Sequence, residues 1–214
     1  MSSDAVPSQV FADCLLALDR LEAEQMLHQA KVAHSPLQLI ESLVVPALED
    51  IGRRWERGEA ALAQVYMSSR ICEELVVRLL PLSQPDQIKQ PKLGIALLDD
   101  YHALGKIIVC VALRSRGWDF HDYGRMTASE LAERVVQDKI NILLISTLML
   151  RSALQIKELK AALNAAQVSV KIIVGGAPFR FDPKLWQEVG ADATGNNATE
   201  AVQAVACCME ELEK

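Results

Sequence analysis

The strongest constraint on this chain is a change of hydrophobic period part-way along it. Up to about Pro81 the apolar residues recur at helical spacing, and the stretch holds only two glycines, Gly52 and Gly58. Val10, Cys14, Leu15 and Leu18 form one apolar stripe. Leu21, Met26, Leu27 and Val32 form a second, and Leu37, Ile40, Leu43, Val44, Leu48 and Ile51 a third. Each reads as an amphipathic helix. Ser35 followed by Pro36 is a start signal, while Pro46 inside the third stripe predicts a kink or a restart. A fourth helix is expected from about Glu59 to Leu80. Four such helices bury their stripes only by packing together, which predicts a four-helix bundle over residues 1–82.

Residues 83–91 belong to a stretch, PLSQPDQIKQP, with three prolines and few large apolar groups, the composition of a linker. Beyond it, over 92–214, short β-rich runs alternate with helical segments: LGIALL, WDFHDY, INILLIS, VKIIVGG and a weak ADATG. Helices fit at 105–116, 127–138, 152–165, 182–189 and 197–212. Five βα units predict an α/β fold of the flavodoxin-like, Rossmann-like kind: a doubly wound, parallel, five-stranded sheet in the order 2-1-3-4-5. Ligands of such sheets sit at the carboxyl ends of the strands, by the switch between strands 1 and 3. The loops after LGIALL, INILLIS and VKIIVGG are therefore where chemistry is expected.

Composition narrows the function. The net charge is −6 and no stretch clusters Lys and Arg, which argues against a nucleic-acid surface. No apolar run approaches the ~20 residues that span a bilayer, and the N-terminus lacks the pattern of a signal peptide, so a cytoplasmic protein without a membrane partner is expected. Five scattered cysteines without a C-x-x-C pair read as reduced core thiols. His28, His34 and His121 lack metal-ligand spacing and read as ordinary residues.

The loop after the first strand reads Asp100-Tyr101-His102-Ala103-Leu104-Gly105, a D-x-H-x-x-G, and Lys106 follows at once. Ser146-Thr147-Leu148, an S-x-L, follows the third strand, and Gly175-Gly176 ends the fourth. Each piece alone is weak: a loop histidine is most often a surface residue, and a glycine pair most often a tight turn. Together, in this order and on these strand ends, they resemble the cobalamin-binding domain of methionine synthase and of the corrinoid proteins of methyltransferase systems. The stretch Pro46 to Glu59, PALEDIGRRWERGE, is similar to that family's helical cap. The paired acids Asp99-Asp100 also fit a phosphorylation receiver, but Ser146 and Gly195 stand where a receiver needs Asp and Lys.

The resemblance implies a cobalamin bound base-off, with His102 as the lower axial cobalt ligand and Asp100 holding its other ring nitrogen. It implies a proton relay of His102, Asp100 and Ser152. The displaced tail would enter a slot kept open by Gly105, Gly175 and Gly176, with Ser146 offering a hydroxyl. Tyr101, Ala103, Leu104, Leu148, Leu150 and Gly195 would also border the cofactor, and Trp55, Val65 and Tyr66 would line the space above cobalt. The cobalt would take a methyl group in its cob(I) state from a substrate:corrinoid methyltransferase. A methylcorrinoid:acceptor methyltransferase would pass it to an acceptor such as tetrahydrofolate or a thiol, and a reductive activating protein would rescue the oxidised cofactor. A homodimer is compatible with this. The chain departs from the family pattern at Asp99, where Gly is usual, at Ala103, where Asp is common, and at Leu150 and Arg151, where threonines are frequent. Two rivals share parts of the pattern. A cobalamin-sensing regulator would carry Glu-His where Val65-Tyr66 stands, and the small subunit of a cobalamin-dependent mutase usually lacks the cap.

Overall fold

The computed structural model describes residues 8–79 and 91–212, and the chain divides into two compact units, 1–82 and 83–214. The proline-rich stretch read as a linker lies, apart from Pro91, outside the described residues.

The first unit is helical. Helix α1 spans Ser8–Leu16, α2 Arg20–Ala30, α3 Pro36–Leu39, α4 Val45–Glu56 and α5 Leu62–Leu79. Asp19 caps α2 by accepting from the Glu22 amide, and Ser35 with Gln38 forms a reciprocal capping box at α3. Between α3 and α4 the chain makes a π-helical turn, Ile40–Val44, and α4 follows without a break in direction of the dihedrals. Pro46 thus marks the restart that the sequence predicts, with α4 opening at Val45. It sits in the first turn of α4, where its missing N–H and its ring are accommodated by the wider turn before it. The buried face is displaced from the expected stripes: Val10, Leu21 and Val32 are exposed, whereas Phe11, Ala12, Leu15, Ala23, Met26 and Leu27 form the core. Val10 and Leu15 cannot share a narrow helical face, and the bulkier Phe11 takes the inward position.

The second unit is a parallel sheet in the order β2-β1-β3-β4-β5. Strand β1 is Leu93–Leu98, β2 Phe120–Met126, β3 Ile142–Ser146, β4 Lys171–Gly175 and β5 Ala193–Gly195. The helices are α6 Leu104–Ser115, α7 Ala128–Asp138, α8 Leu150–Leu154, α9 Ile156–Ala165, α10 Ala177–Phe181, α11 Leu185–Glu188 and α12 Ala198–Leu212. Strand β1 is buried along its whole length, as its near-continuous apolar run requires of a central parallel strand. On one face Ala96, Leu98, Leu143, Ile145, Ile172 and Val174 meet α7 and α9 through Leu131, Val135, Ile156, Leu159 and Leu163. Helices α6 and α12, in contact with each other, serve the other face. The expected single helix over 152–165 is broken at Gln155, and α10, at Ala177–Phe181, begins earlier than the helix expected from 182.

Parallel register aligns Leu97, Ser146, Gly175 and Gly195 in one row at the carboxyl end of the sheet. Among the described residues no helix is long and apolar enough to cross a membrane.

Candidate functional site

The site begins where β1 runs out. Asp99 takes a left-handed backbone conformation with φ 42°, turning the chain so that Asp100 points back under the loop. The Asp100 side chain is 1% exposed and the neighbouring His102 side chain 40%, so one partner is buried and the other is open to a ligand. Oxygen Oδ1 of Asp100 accepts from the amides of Tyr101 at 2.7 Å and His102 at 3.2 Å, and lies 3.0 Å from His102 Nδ1. Oxygen Oδ2 accepts from the amides of Leu148 and Met149, at 2.7 and 3.0 Å, in the loop after β3.

These bonds decide the protonation state. Burial is the largest single influence on the Asp100 carboxyl and opposes ionisation, but the bonds from His102, Leu148 and Met149 together outweigh it and hold the group below its ordinary range. An ionised carboxylate is acceptor only, so His102 Nδ1 must be the donor. In the neutral imidazole the second nitrogen, Nε2, then keeps its lone pair for a metal. A single imidazole would suit a metal that a macrocycle already holds.

Ser152 does not stand where the relay needs it. Its buried hydroxyl donates to the main-chain carbonyl of Asp99 at 3.0 Å, and both Asp100 oxygens are taken by other donors. Ser152 thus supports the turn before the ligand pair. The glycines also divide. A side-chain carbon at Gly105 would meet only the Ser146 hydroxyl, at 3.3 Å, so the start of α6 and the end of β3 face each other across a space that a larger residue would fill. One at Gly175 would lie 2.9 Å from the carbonyl oxygen of Gly195, and one at Gly195 would lie 2.7 Å from the amide of Ala201. At Gly176 it would lie 1.8 Å from the carbonyl oxygen of Thr147, and φ is 119°. Those three glycines are required by the close approach of the chain's own backbone, a demand that the tail-slot expectation for Gly175 and Gly176 did not include.

Tyr101 is 70% exposed, with the Arg125 guanidinium 4.0 Å from its ring centre. Ala103 caps α6, Leu104 opens it, and Leu148 and Leu150 are exposed beside the carboxylate's amide donors. Trp55, Val65 and Tyr66 belong to the helical unit, where Trp55 and Tyr66 are exposed and Val65 is half-buried. Two participants carried no sequence signal. Met149 acts through its amide, and Arg125 reaches Asp99 from a neighbouring strand.

Residues 92–206 match a family model described as a B12 binding domain, and residues 8–80 match a second model with the same description. The chain belongs to the B12-binding family. It is similar to the dimethylamine corrinoid protein of Methanosarcina barkeri, with 31% identity over 91% of this chain and 93% of the relative. Monomethylamine corrinoid protein 1 of Methanosarcina acetivorans is 31% identical over 94% of this chain and 92% of its own length. Among solved structures, the Methanosarcina barkeri monomethylamine corrinoid protein superposes with a TM-score of 0.81 at 25% identity, covering 95% of this chain and 98% of that one. The matched range 92–206 includes the D-x-H-x-x-G segment and the sheet end where the row of Ser146, Gly175 and Gly195 lies.

Proposed function

We propose that this protein is the methyl-carrying corrinoid subunit of a methyltransferase system, with His102 as the lower axial ligand of a base-off cofactor. The observation that carries the reading is the pair of an ionised, buried Asp100 and an accessible His102 whose Nε2 is left free. Gly105 and Ser146 border the space suited to the displaced tail. When bound, the corrinoid supplies a cobalt centre able to take and give a methyl group.

The chain's own residues bind and orient. Asp100 fixes the imidazole tautomer, the Leu148 and Met149 amides fix Asp100, and the exposed Leu148, Met149 and Leu150 offer an apolar ledge beside the loop. Exposed Trp55 and Tyr66 give the helical unit aromatic surface of the kind that shields an apolar ligand from water. Donor and acceptor are presented by separate methyltransferases, with a reductive activating protein as the third partner. The relatives named for dimethylamine and monomethylamine make a methylamine the first donor to try.

Reconstitution with hydroxocobalamin tests this. The wild type is expected to retain about one corrinoid per chain with a base-off spectrum. His102→Ala should keep the fold, because the residue lies on a loop, and lose axial nitrogen ligation. Unchanged cobalt spectra in that variant would remove His102 as the ligand, and a wild type that retains no corrinoid would overturn the function.

A further inference from the structure

Asp99 directly precedes Asp100, and the structure gives it more bonds than a turn residue needs. Its amide donates to the carbonyl of Met126 at the end of β2, at 2.9 Å, and its carbonyl accepts from Ser152 at 3.0 Å. Its carboxylate accepts from Arg125 at 2.6 Å through Oδ1 and from Gln155 Nε2 at 3.4 Å through Oδ2. Arg125 in turn covers one face of the Tyr101 ring. The residues on either side of Asp100 are thus tied to β2 through Arg125, while Asp100 itself is tied to the loop after β3.

We infer that Asp99 and Arg125 act as a clamp that positions the Asp100–His102 pair for cobalt. The deduction rests on His102 being the axial ligand. A glycine at 99 would adopt the left-handed turn without strain, but it would leave Arg125 without its carboxylate and Tyr101 without a fixed cation over its ring. An aspartate accepts the same backbone conformation at modest strain and supplies both ties. The clamp narrows the orientations open to residues 99–102, so a larger share of molecules presents Nε2 outward. Neither residue is among the atoms that a side-chain carbon at Gly105 would meet, so removing the clamp leaves the contacts at Gly105 and Ser146 intact.

The test uses the full chain loaded with cobalamin and reduced to Co(II). Axial nitrogen splits the electron-spin-resonance lines into triplets, and growth with 15N-histidine turns them into doublets, which identifies the protein ligand. Asp99→Gly and Arg125→Ala should each lower the ratio of histidine-ligated to unligated cobalt about fivefold, the scale of a partly exposed ion pair. Cofactor stoichiometry should stay unchanged. Because the two residues act as a unit, the double variant should lose no more than either single one. Asp99→Asn, which tolerates the turn and still accepts from Arg125, should restore most of the ratio. In cofactor-free protein, amide exchange at Leu148 and Met149 should quicken by a similar factor in Asp99→Gly and Arg125→Ala. An unchanged ratio in both variants, or additive losses in the double variant, would overturn the clamp. If the wild type shows no histidine doublets, the axial assignment fails instead, and unchanged amide exchange would then dispose of the clamp independently.

Discussion

The carboxyl ends of β1 and β3 are built differently from those of β4 and β5, although both regions are rich in small residues. At β1 and β3 a buried carboxylate gathers donors from two loops, and Gly105 leaves room in front of Ser146. At β4 and β5 the glycines let one strand end press against the next: Gly175 against Gly195, Gly195 against Ala201, Gly176 against Thr147. The same residue type faces a side-chain hydroxyl in the first region, where the proposed function places the cofactor tail, and closes the chain on itself in the second. A glycine near a binding loop is therefore not by itself a sign of ligand space.

Substitution separates the two roles. The largest effect is expected from Gly176→Val, which puts a branched side chain where φ is 119° and the Thr147 carbonyl already stands. It should destabilise the cofactor-free protein by more than about 3 kcal/mol, read as a fall in melting temperature or loss of soluble protein. Normal melting with selective loss of corrinoid would return Gly176 to the tail slot and erase the contrast.

Gly105→Val should do the reverse. The cofactor-free protein should melt within a few degrees of the wild type while corrinoid affinity falls by roughly tenfold or more, the scale of an overpacked site. Titration with hydroxocobalamin reads it directly, and unaltered affinity would mean that the tail lies elsewhere.

The smallest effect concerns Thr147, which stands between the two regions. Its buried hydroxyl has no hydrogen-bond partner among the described residues, while its amide donates to Gly175 and its carbonyl faces Gly176. Thr147→Val keeps the shape and removes a desolvated polar atom, so it should stabilise the cofactor-free protein by about 1 kcal/mol in denaturant titration. A loss of corrinoid affinity in this variant would show that the hydroxyl serves the ligand and that the first region extends further along β3.

The centre of the sheet was legible because β1, β3 and β4 are short apolar runs bounded by polar or glycine signals, whereas the edge strands β2 and β5 are polar or very short. LGIALL corresponds to β1 residue for residue, and the strand order is the one expected of a flavodoxin-like sheet. The Asp100–His102 contact was legible because its residues lie two apart in sequence. What remained hidden depends on residues brought together from distant segments. Arg125 reaches Asp99 from 26 residues away, and Ser152 reaches the Asp99 carbonyl from 53. No local pattern distinguishes Ser152 bonded to a carbonyl from Ser152 bonded to a carboxylate. The inward place of Phe11 was missed for another reason: in a short helix with apolar residues at adjacent positions, period alone does not choose which one turns inward.

The Asp100 carboxylate closes onto Leu148 and Met149 across 48 and 49 residues, with β2 and α7 in between. A chain folding from its N-terminus can form β1 and the turn at Asp99 early, but the carboxylate has no amides to receive it until β3 has docked. Burying it sooner would leave an ion short of donors in a low-dielectric place, which is unfavourable. The ligand loop therefore matures late, together with the central strand pair. Under the proposed function the order of events guards the histidine: the imidazole held by Asp100 has its full support only on a sheet that is already assembled.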